Sequence, residues 1–156
     1  MLPRSARRFQ AALAEAGIAA EVRELPDSTR TAPEAAAAVG CELGAIVKSL
    51  VFRAGDAPLD ALVSGDRRAD EERLAALAGV ALARADADFV RAATGYAIGG
   101  VPPLGHPMAH RTLMDEGLWR YAVVWAAAGT PRCVFPVAPA TLATVLGVGP
   151  AAFAQS

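Results

Sequence analysis

The chain is short of several residue types, and each shortage argues against a class of protein. Among its 156 residues are two cysteines, Cys41 and Cys133, which form neither a C-x-x-C pair nor a spacing typical of metal ligands. No run of about 18 apolar residues is present, so no transmembrane helix is expected. Residues 9–13 are too few and too mixed for the apolar part of a signal peptide. We therefore expect a cytoplasmic protein with reduced thiols and no membrane partner.

A strong charge of either sign is also missing. The net charge is −1, whereas proteins that bind nucleic acid over a broad surface usually carry a basic footprint. Any contact with RNA should therefore be local. Because 54% of the residues are hydrophobic and 20% are charged, the chain is not expected to be disordered. Its length suits a single domain, residues 1–156.

Lysine is nearly absent, since Lys48 stands alone against fourteen arginines. Arginine keeps its proton and is a planar fork, whereas lysine is compact and its pKa shifts readily. Lys48 therefore either occupies a position where arginine would not function, or is a lysine retained by chance. It lies in the apolar run 46–51, where strand alternation puts Ile46, Lys48 and Leu50 on one face. Because burying an ammonium is costly, the side chain either reaches out at a sheet edge or points into a polar cleft.

Periodicity and capping residues predict the regular elements. The expected helices cover 5–16, 31–39, 70–79 and 86–95 and begin again at Pro139; the expected strands cover 19–25, 45–53, 59–64, 80–83, 121–127 and 132–137. The second and third strands should form a hairpin. Because helices and strands do not follow a regular alternation, we expect a mixed α/β (α+β) fold with a mostly antiparallel central sheet surrounded by helices.

Two further features suggest a site. Residues 96–107 are too rich in glycine and proline for a regular element. Such a loop either exposes N–H groups that bind an oxyanion or phosphate, or is only a structural connection. Asp115 either orients a polar group in a site or caps a helix. Trp119, Tyr121 and Trp125 are interpreted as packing residues rather than a base-stacking platform.

Several segments, taken in order, carry a family resemblance. They are the threonine- and alanine-rich segment 29–40, the I-V-K-S-L-V-F strand 46–52, the G-D-R-R turn 65–68, the T-G-Y-x-x-G-G-V-x-P-x-G-H loop 94–106, and the shorter landmarks at 113–116 and 128–129. Together they resemble the YbaK/EbsC family, the ProX-type aminoacyl-tRNA deacylases, which are related to the editing insertion of bacterial prolyl-tRNA synthetases.

The resemblance implies a mixed α/β domain with a curved central sheet. The implied activity is hydrolysis, in trans, of the ester that joins a wrong amino acid to transfer RNA. Lys48 is the implied catalytic residue. Substrate contacts are predicted for Ser49, Asp115 and the loop, where the residues are Gly99, Gly100, Val101, Pro103, Gly105 and His106. No metal and no other cofactor are expected.

The substrate is the least constrained part of this prediction. Ala127 stands where some family members carry serine, and no tyrosine precedes Tyr96. We favour cysteine or alanine on the transfer RNA for proline, bound at its acceptor end, with prolyl-tRNA synthetase as a candidate partner. No Ser-His-Asp set is found, so water or a substrate hydroxyl is the expected attacking group. Two alternatives are a non-catalytic module that recognises aminoacyl-tRNA or a synthetase, and a hydrolase of other small acyl esters.

Overall fold

The computed structural model describes residues 1–107 and 110–156. In this part of the chain there are five α-helices, α1 (Arg4–Glu15), α2 (Ala32–Val39), α3 (Glu71–Ala78), α4 (Ala87–Thr94) and α5 (Pro139–Leu146). The strands are β1 (Arg23–Glu24), β2 (Val47–Ala54), β3 (Ala57–Ser64), β4 (Arg68–Ala69), β5 (Ala83–Arg84), β6 (Arg111–Asp115), β7 (Val124–Ala127), β8 (Cys133–Val137), β9 (Pro150–Ala151) and β10 (Ala154–Gln155). Within the described residues, no helix has both the length and the apolar character needed to cross a membrane.

The helices begin and end at the residues that their capping signals indicate. Thr31 accepts a hydrogen bond from the first turn of α2, and Asp70 and Asp86 do the same for α3 and α4. Each of the helices α2 to α5 ends at a glycine in the left-handed conformation. The predicted positions of the helices are therefore confirmed.

A mixed five-stranded sheet in the order β5-β2-β3-β6-β9 forms the centre of the fold. β2 and β3 form the expected hairpin around the two-residue turn 55–56, and β5 adds to β2 in the antiparallel direction. β6 then pairs parallel with β3, and β9 pairs parallel with β6. The expected mixed α/β fold is confirmed. The central sheet was expected to be mostly antiparallel, and among the described strands it has two antiparallel and two parallel pairings.

A second sheet, β1-β8-β7, is antiparallel and meets the first at a bridge between Ile46 and Trp125. The strand predicted over 19–25 is reduced to β1, because the side chain of Gln10 takes the place of a partner strand. Its amide donates to the Ala20 carbonyl at 2.9 Å, and its oxygen accepts from the Val22 N–H at 2.8 Å. The strand predicted over 121–127 begins only at Val124, because the 3-10 turn Glu116–Arg120 is followed by a bend at residues 121–122.

Apolar side chains cover both faces of the central sheet. Val47 and Leu62 belong to the larger cluster, which α1 and the second sheet complete. Phe52 and Leu59 belong to a smaller cluster with α3 and Phe153. Strand β2 is therefore fixed on both faces by burial, which leaves its outer edge as the part that can meet a ligand.

Candidate functional site

The candidate site follows the edge of β2 that faces away from β3. β5 pairs with β2 only at Phe52 and Arg53, and β7 reaches this region only through Ile46. The stretch 47–51 therefore has no strand partner on this edge among the described residues. Because the hairpin closes with a two-residue turn, alternate residues counted from the turn bond to β3, and the N–H and C=O groups of Ser49 and Val51 point outward. A ligand lying beside β2 meets backbone donors and acceptors.

Two adjoining grooves run along this open edge. The main groove has a volume of about 310 Å³ and the side groove about 350 Å³. They share Ser49, Leu50, Ile98, Gly99 and Val101. The main groove is also lined by Thr29, Arg30, Thr31, Ala32, Ala35, Ile46, Val47, Lys48, Trp125, Ala127, Pro131 and Val134. The side groove is also lined by Val51, Phe52, Glu71, Arg84, Ala85 and Val90.

Lys48 is half-buried and lines the main groove. Of the two positions that the sequence left open, a sheet edge and a polar cleft, the structure shows the cleft. Its Nζ donates a hydrogen bond to the Arg67 carbonyl. Burial lowers the pKa of Lys48 below its ordinary value, and the charges of Asp66 and Asp115 oppose this shift. An ammonium has three donors, and the Arg67 carbonyl is the only acceptor that Lys48 meets within the described residues. Lys48 can therefore donate to a substrate oxygen as well.

The G-D-R-R turn that supplies this carbonyl is held by a polar network. Arg120 donates two hydrogen bonds to Asp66, at 2.7 and 3.0 Å, and another to Ser64 Oγ at 2.8 Å. The hydrogen bond from Arg120 lowers the pKa of Asp66. Ser64 in turn donates to the Gly44 carbonyl. A Cβ at Gly44 would clash with the Tyr121 hydroxyl, so a side chain at this position would displace members of the network.

Asp115 is completely buried and lines neither groove. Its carboxylate accepts from the Ser64 N–H at 3.1 Å, from the Gly117 N–H at 2.8 Å and from Arg67 Nη1 at 3.4 Å. This is the geometry of a helix cap, here for the 3-10 turn Glu116–Arg120, and a cap is one of the two roles that the sequence left open for Asp115. A direct contact between Asp115 and a substrate stays a prediction. In the structure the carboxylate acts on the site through β3 and the neighbouring turn.

The glycine–proline loop, residues 96–107, contributes only a short stretch to the grooves. Ile98, Gly99 and Val101 line them, and Gly99 has φ 89°. The N–H of Gly99 makes no hydrogen bond to another residue that the structure describes. It is a donor close to the open edge of β2, as an oxyanion-binding loop requires.

Three other predicted loop residues pack against the protein, and their contacts with a substrate stay a prediction. A Cβ at Gly100 would lie 2.7 Å from the Thr130 Cα, and one at Gly105 would lie 3.0 Å from the Ala12 Cβ. Pro103 is buried. None of these three loop residues lines a groove, so they place the short stretch at 98–101.

His106 also lies outside both grooves. Its Nε2 is 2.6 Å from the Pro102 carbonyl oxygen, and its ring stacks on His110 with the centroids 4.0 Å apart. Burial, with the neighbouring His110, lowers the pKa of His106 to about 4. Ligand atoms of His106, His110 and the buried Asp60 lie within 4.8 Å of one another. These three residues are the group, among those described, whose chemistry suits a metal ion.

Some residues of the main groove were not predicted from the sequence. Trp125, interpreted there as a packing residue, lines the groove, and the Arg23 guanidinium lies 5.3 Å from its ring centroid. Thr29 and Thr31 also line it. Their only signal in the sequence was the threonine-rich start of the segment 29–40. Ile98 is 57% exposed at the boundary of the two grooves, and nothing in its local pattern marked it.

Known proteins are similar to this chain in sequence. A family model described as the aminoacyl-tRNA editing domain matches residues 26–145. The uncharacterised protein YwhH of Bacillus subtilis (strain 168) is 30% identical over 123 residues, which is 78% of each chain.

Two solved structures are also similar. One, of a protein proposed to be a trans-editing enzyme for prolyl-tRNA synthetase, has 46% identity and a TM-score of 0.96, and all of both chains is covered. The hypothetical protein APE2540 has 26% identity and a TM-score of 0.86, with 95% of this chain and 99% of that chain covered. Because the family model spans most of the chain, the protein belongs to the aminoacyl-tRNA editing domain family, and the YbaK resemblance of its sequence is confirmed.

Proposed function

We propose that the protein is a deacylase that acts in trans on mischarged transfer RNA. In this proposal it hydrolyses the ester between a small amino acid, cysteine or alanine, and the terminal ribose of the transfer RNA for proline. The observation that carries the proposal is the half-buried ammonium of Lys48 in a groove that it shares with Gly99 and the open edge of β2. The similar structure with 46% identity, proposed to be a trans-editing enzyme for prolyl-tRNA synthetase, supports this synthetase as the partner.

The groove offers the groups that ester hydrolysis needs. A water molecule adds to the ester carbonyl carbon, the bond from that carbon to the ribose oxygen breaks, and the ribose oxygen leaves with a proton. Negative charge develops on the carbonyl oxygen during this step. The Lys48 ammonium and the Gly99 N–H are donors that can stabilise it. The products are the free amino acid and the uncharged transfer RNA.

The walls of the main groove favour a small amino acid. Ala32, Ala35, Ala127 and Val134 leave a space of about 310 Å³, which has to hold both the aminoacyl group and part of the terminal nucleotide. A pocket of this kind excludes large side chains by steric clash, but it separates side chains that differ by one small group only weakly. We therefore expect cysteine and alanine to be released at similar rates, and larger residues to be released slowly.

The test is deacylation of a panel of mischarged transfer RNAs by the wild type, by Lys48→Ala and by Arg73→Ala. Arg73 is the matched control, because its side chain is 60% exposed on α3 and it lines neither groove. We expect rapid release from cysteinyl- and alanyl-tRNA for proline, a loss of about 100-fold or more in Lys48→Ala, and no change in Arg73→Ala.

Three outcomes would change the proposal. Full activity of Lys48→Ala would refute the mechanism. Binding of aminoacyl-tRNA by the wild type without release would identify the protein as a recognition module. Release from free aminoacyl esters but not from charged transfer RNA would point to small esters as the substrate.

A further inference from the structure

A second group of reactive side chains lies outside both grooves, and the proposed deacylation does not use it. Asp60, on β3, is 1% exposed, and neither of its carboxylate oxygens has a hydrogen-bond partner among the described residues. Leaving an ionised carboxylate buried without a partner costs several kcal/mol. Its charge therefore has to be neutralised by a proton or balanced by a cation.

His106 faces the same interior space with another acceptor. Its Nε2 is 2.6 Å from the Pro102 carbonyl oxygen. Because a carbonyl can only accept, Nε2 carries the ring proton and Nδ1 presents a lone pair. That Nδ1 is buried, with no hydrogen-bond partner in the part of the chain that the structure describes. A ligand atom of this ring and one of the Asp60 carboxylate lie within 4.8 Å of each other, so both groups would attract a positive centre placed between them.

We propose that Asp60, His106 and His110 bind a divalent transition-metal ion, and that zinc is the ion the set fits best. Imidazole and carboxylate ligands suit zinc, and three protein ligands leave a fourth position for water. The hydrogen bond from His106 Nε2 to a backbone carbonyl is the support that metal-bound histidines usually have, and it orients Nδ1 towards the ion.

The distances allow such a site after a small adjustment. Zinc ligands lie about 2.0–2.2 Å from the ion, so the ligand atoms of a tetrahedral site are about 3.4 Å apart. In this structure they are within 4.8 Å of one another. The two imidazole rings are stacked at an angle of 22°, so binding also tilts them apart to bring both lone pairs onto one ion. This movement predicts that metal binding changes the environment of both histidines.

The position of the site would let the ion join two parts of the fold. Asp60 belongs to β3, whereas His106 and His110 end the glycine–proline loop and precede β6. An ion held by all three residues would tie the loop to the central sheet. Because the same loop carries Gly99 and Val101 into the grooves, the ion would also fix the groove wall. This inference rests on the geometry of the three residues and does not depend on the proposed deacylation.

The test is the zinc content of the tag-free protein after dialysis against metal-free buffer, measured by inductively coupled plasma mass spectrometry. We expect about one zinc ion per chain in the wild type and less than about a tenth of that in Asp60→Asn and His110→Ala. Asp56→Asn, in the exposed hairpin turn, is the carboxylate control, and Cys41→Ser is the thiol control. Both controls should retain the ion.

Titration of the metal-stripped proteins with zinc provides a second readout. Mutation of residues that only support metal ligands costs about 10–100-fold in metal affinity. Loss of a ligand itself, as in Asp60→Asn, should therefore weaken zinc binding by more than about 100-fold. Binding of cobalt in place of zinc should give a visible absorption spectrum in the wild type but not in His110→Ala. The His110→Ala variant also provides the test if Asp60→Asn does not fold.

Two results would overturn the proposal. If the metal-stripped wild type takes up no zinc, Asp60 is protonated and donates to His106, and the group is a hydrogen-bonded cluster. If Asp60→Asn and His110→Ala bind zinc as the wild type does, the ion is bound elsewhere.

Discussion

Replacing Gly100 by alanine tests whether close packing of the loop positions the groove. A Cβ at Gly100 would lie 2.7 Å from the Thr130 Cα and 2.9 Å from the Thr130 carbonyl carbon. These are backbone atoms and cannot rotate away. An ordinary contact begins at 3.4 Å, so the loop has to retreat by the difference, about 0.7 Å. The same movement stretches the hydrogen bond from the Gly129 N–H to the Gly100 carbonyl, now 3.0 Å.

The magnitude follows from these two effects. Overpacking costs about 1–3 kcal/mol and a weakened hydrogen bond costs about 1 kcal/mol. We therefore expect the free energy of unfolding of Gly100→Ala to fall by about 2–4 kcal/mol in urea titrations followed by circular dichroism. Because Gly99 moves with its neighbour, and because misplacement by about 1 Å can cost about 100-fold in rate, kcat/KM for deacylation should fall by about 10–100-fold.

The chain offers a matched control for this substitution. A Cβ at Gly149 meets nothing within 4 Å, and its φ is not in the left-handed region. Gly149→Ala should therefore leave both the unfolding midpoint and the deacylation rate unchanged. If Gly100→Ala unfolds at the same urea concentration as Gly149→Ala, the approach to Thr130 does not constrain the loop and the packing argument is wrong.

Four further predictions concern the groove and its supports. Lys48→Arg keeps a charge but not the compact ammonium, so kcat/KM should fall by about 10-fold or more. In a pH–rate profile the wild type should lose activity as pH rises through the lowered pKa of Lys48, whereas the residual activity of the arginine variant should not fall in this range. Asp115→Ala leaves three donors without their acceptor and should lower the free energy of unfolding by about 3–5 kcal/mol in urea titrations. The stability that Asp66 contributes is present above its ordinary pKa of 3.8 and is lost as pH falls through its lowered folded-state pKa, so Asp66→Asn should flatten the acid side of a plot of unfolding midpoint against pH. Ala127→Leu adds bulk to the main groove and should raise the ratio of alanine release to cysteine release in a competition assay; an unchanged ratio would show that this wall does not touch the amino acid.

Features that depend on nearby residues were predicted well from the sequence. Thr31, Asp70 and Asp86 are caps because a short polar side chain precedes a helical pattern, and the local chain alone decides that geometry. Lys48 was identified for a similar reason. An ammonium within an apolar strand requires explanation wherever the strand lies, and the structure places it in the groove.

Features that depend on distant residues were not predictable in this way. The Arg67 carbonyl that Lys48 contacts is 19 positions away along the chain. Ligand atoms of Asp60 and His106 lie within 4.8 Å of each other only because the fold brings β3 close to the end of the glycine–proline loop. A carboxylate in an apolar strand gives no local sign of which residues will surround it. The family resemblance predicts a substrate contact for Gly100, which stays a prediction; the structure shows that the backbone of Thr130 lies where a Cβ at Gly100 would be. A glycine pattern shows that something comes close, and only the fold shows what it is.

The charge distribution explains how a chain with a net charge of −1 could bind the end of an RNA. Lys48 and Arg30 line the main groove, and none of its described lining residues is acidic. In the side groove Arg84 lies 3.5 Å from Glu71, so that positive charge is largely balanced. Asp66 and Asp115 act on Lys48 from outside the groove, but salt screens charges beyond about 8 Å, so acidic residues farther away on the surface have little effect in the main groove. The positive potential is therefore confined to the place where the ester and the adjoining phosphate would lie. We expect binding to involve one or two phosphates of the single-stranded acceptor end, with a slope of about −0.7 to −1.4 for log K against log salt. A much steeper slope would show that RNA contacts extend beyond the groove.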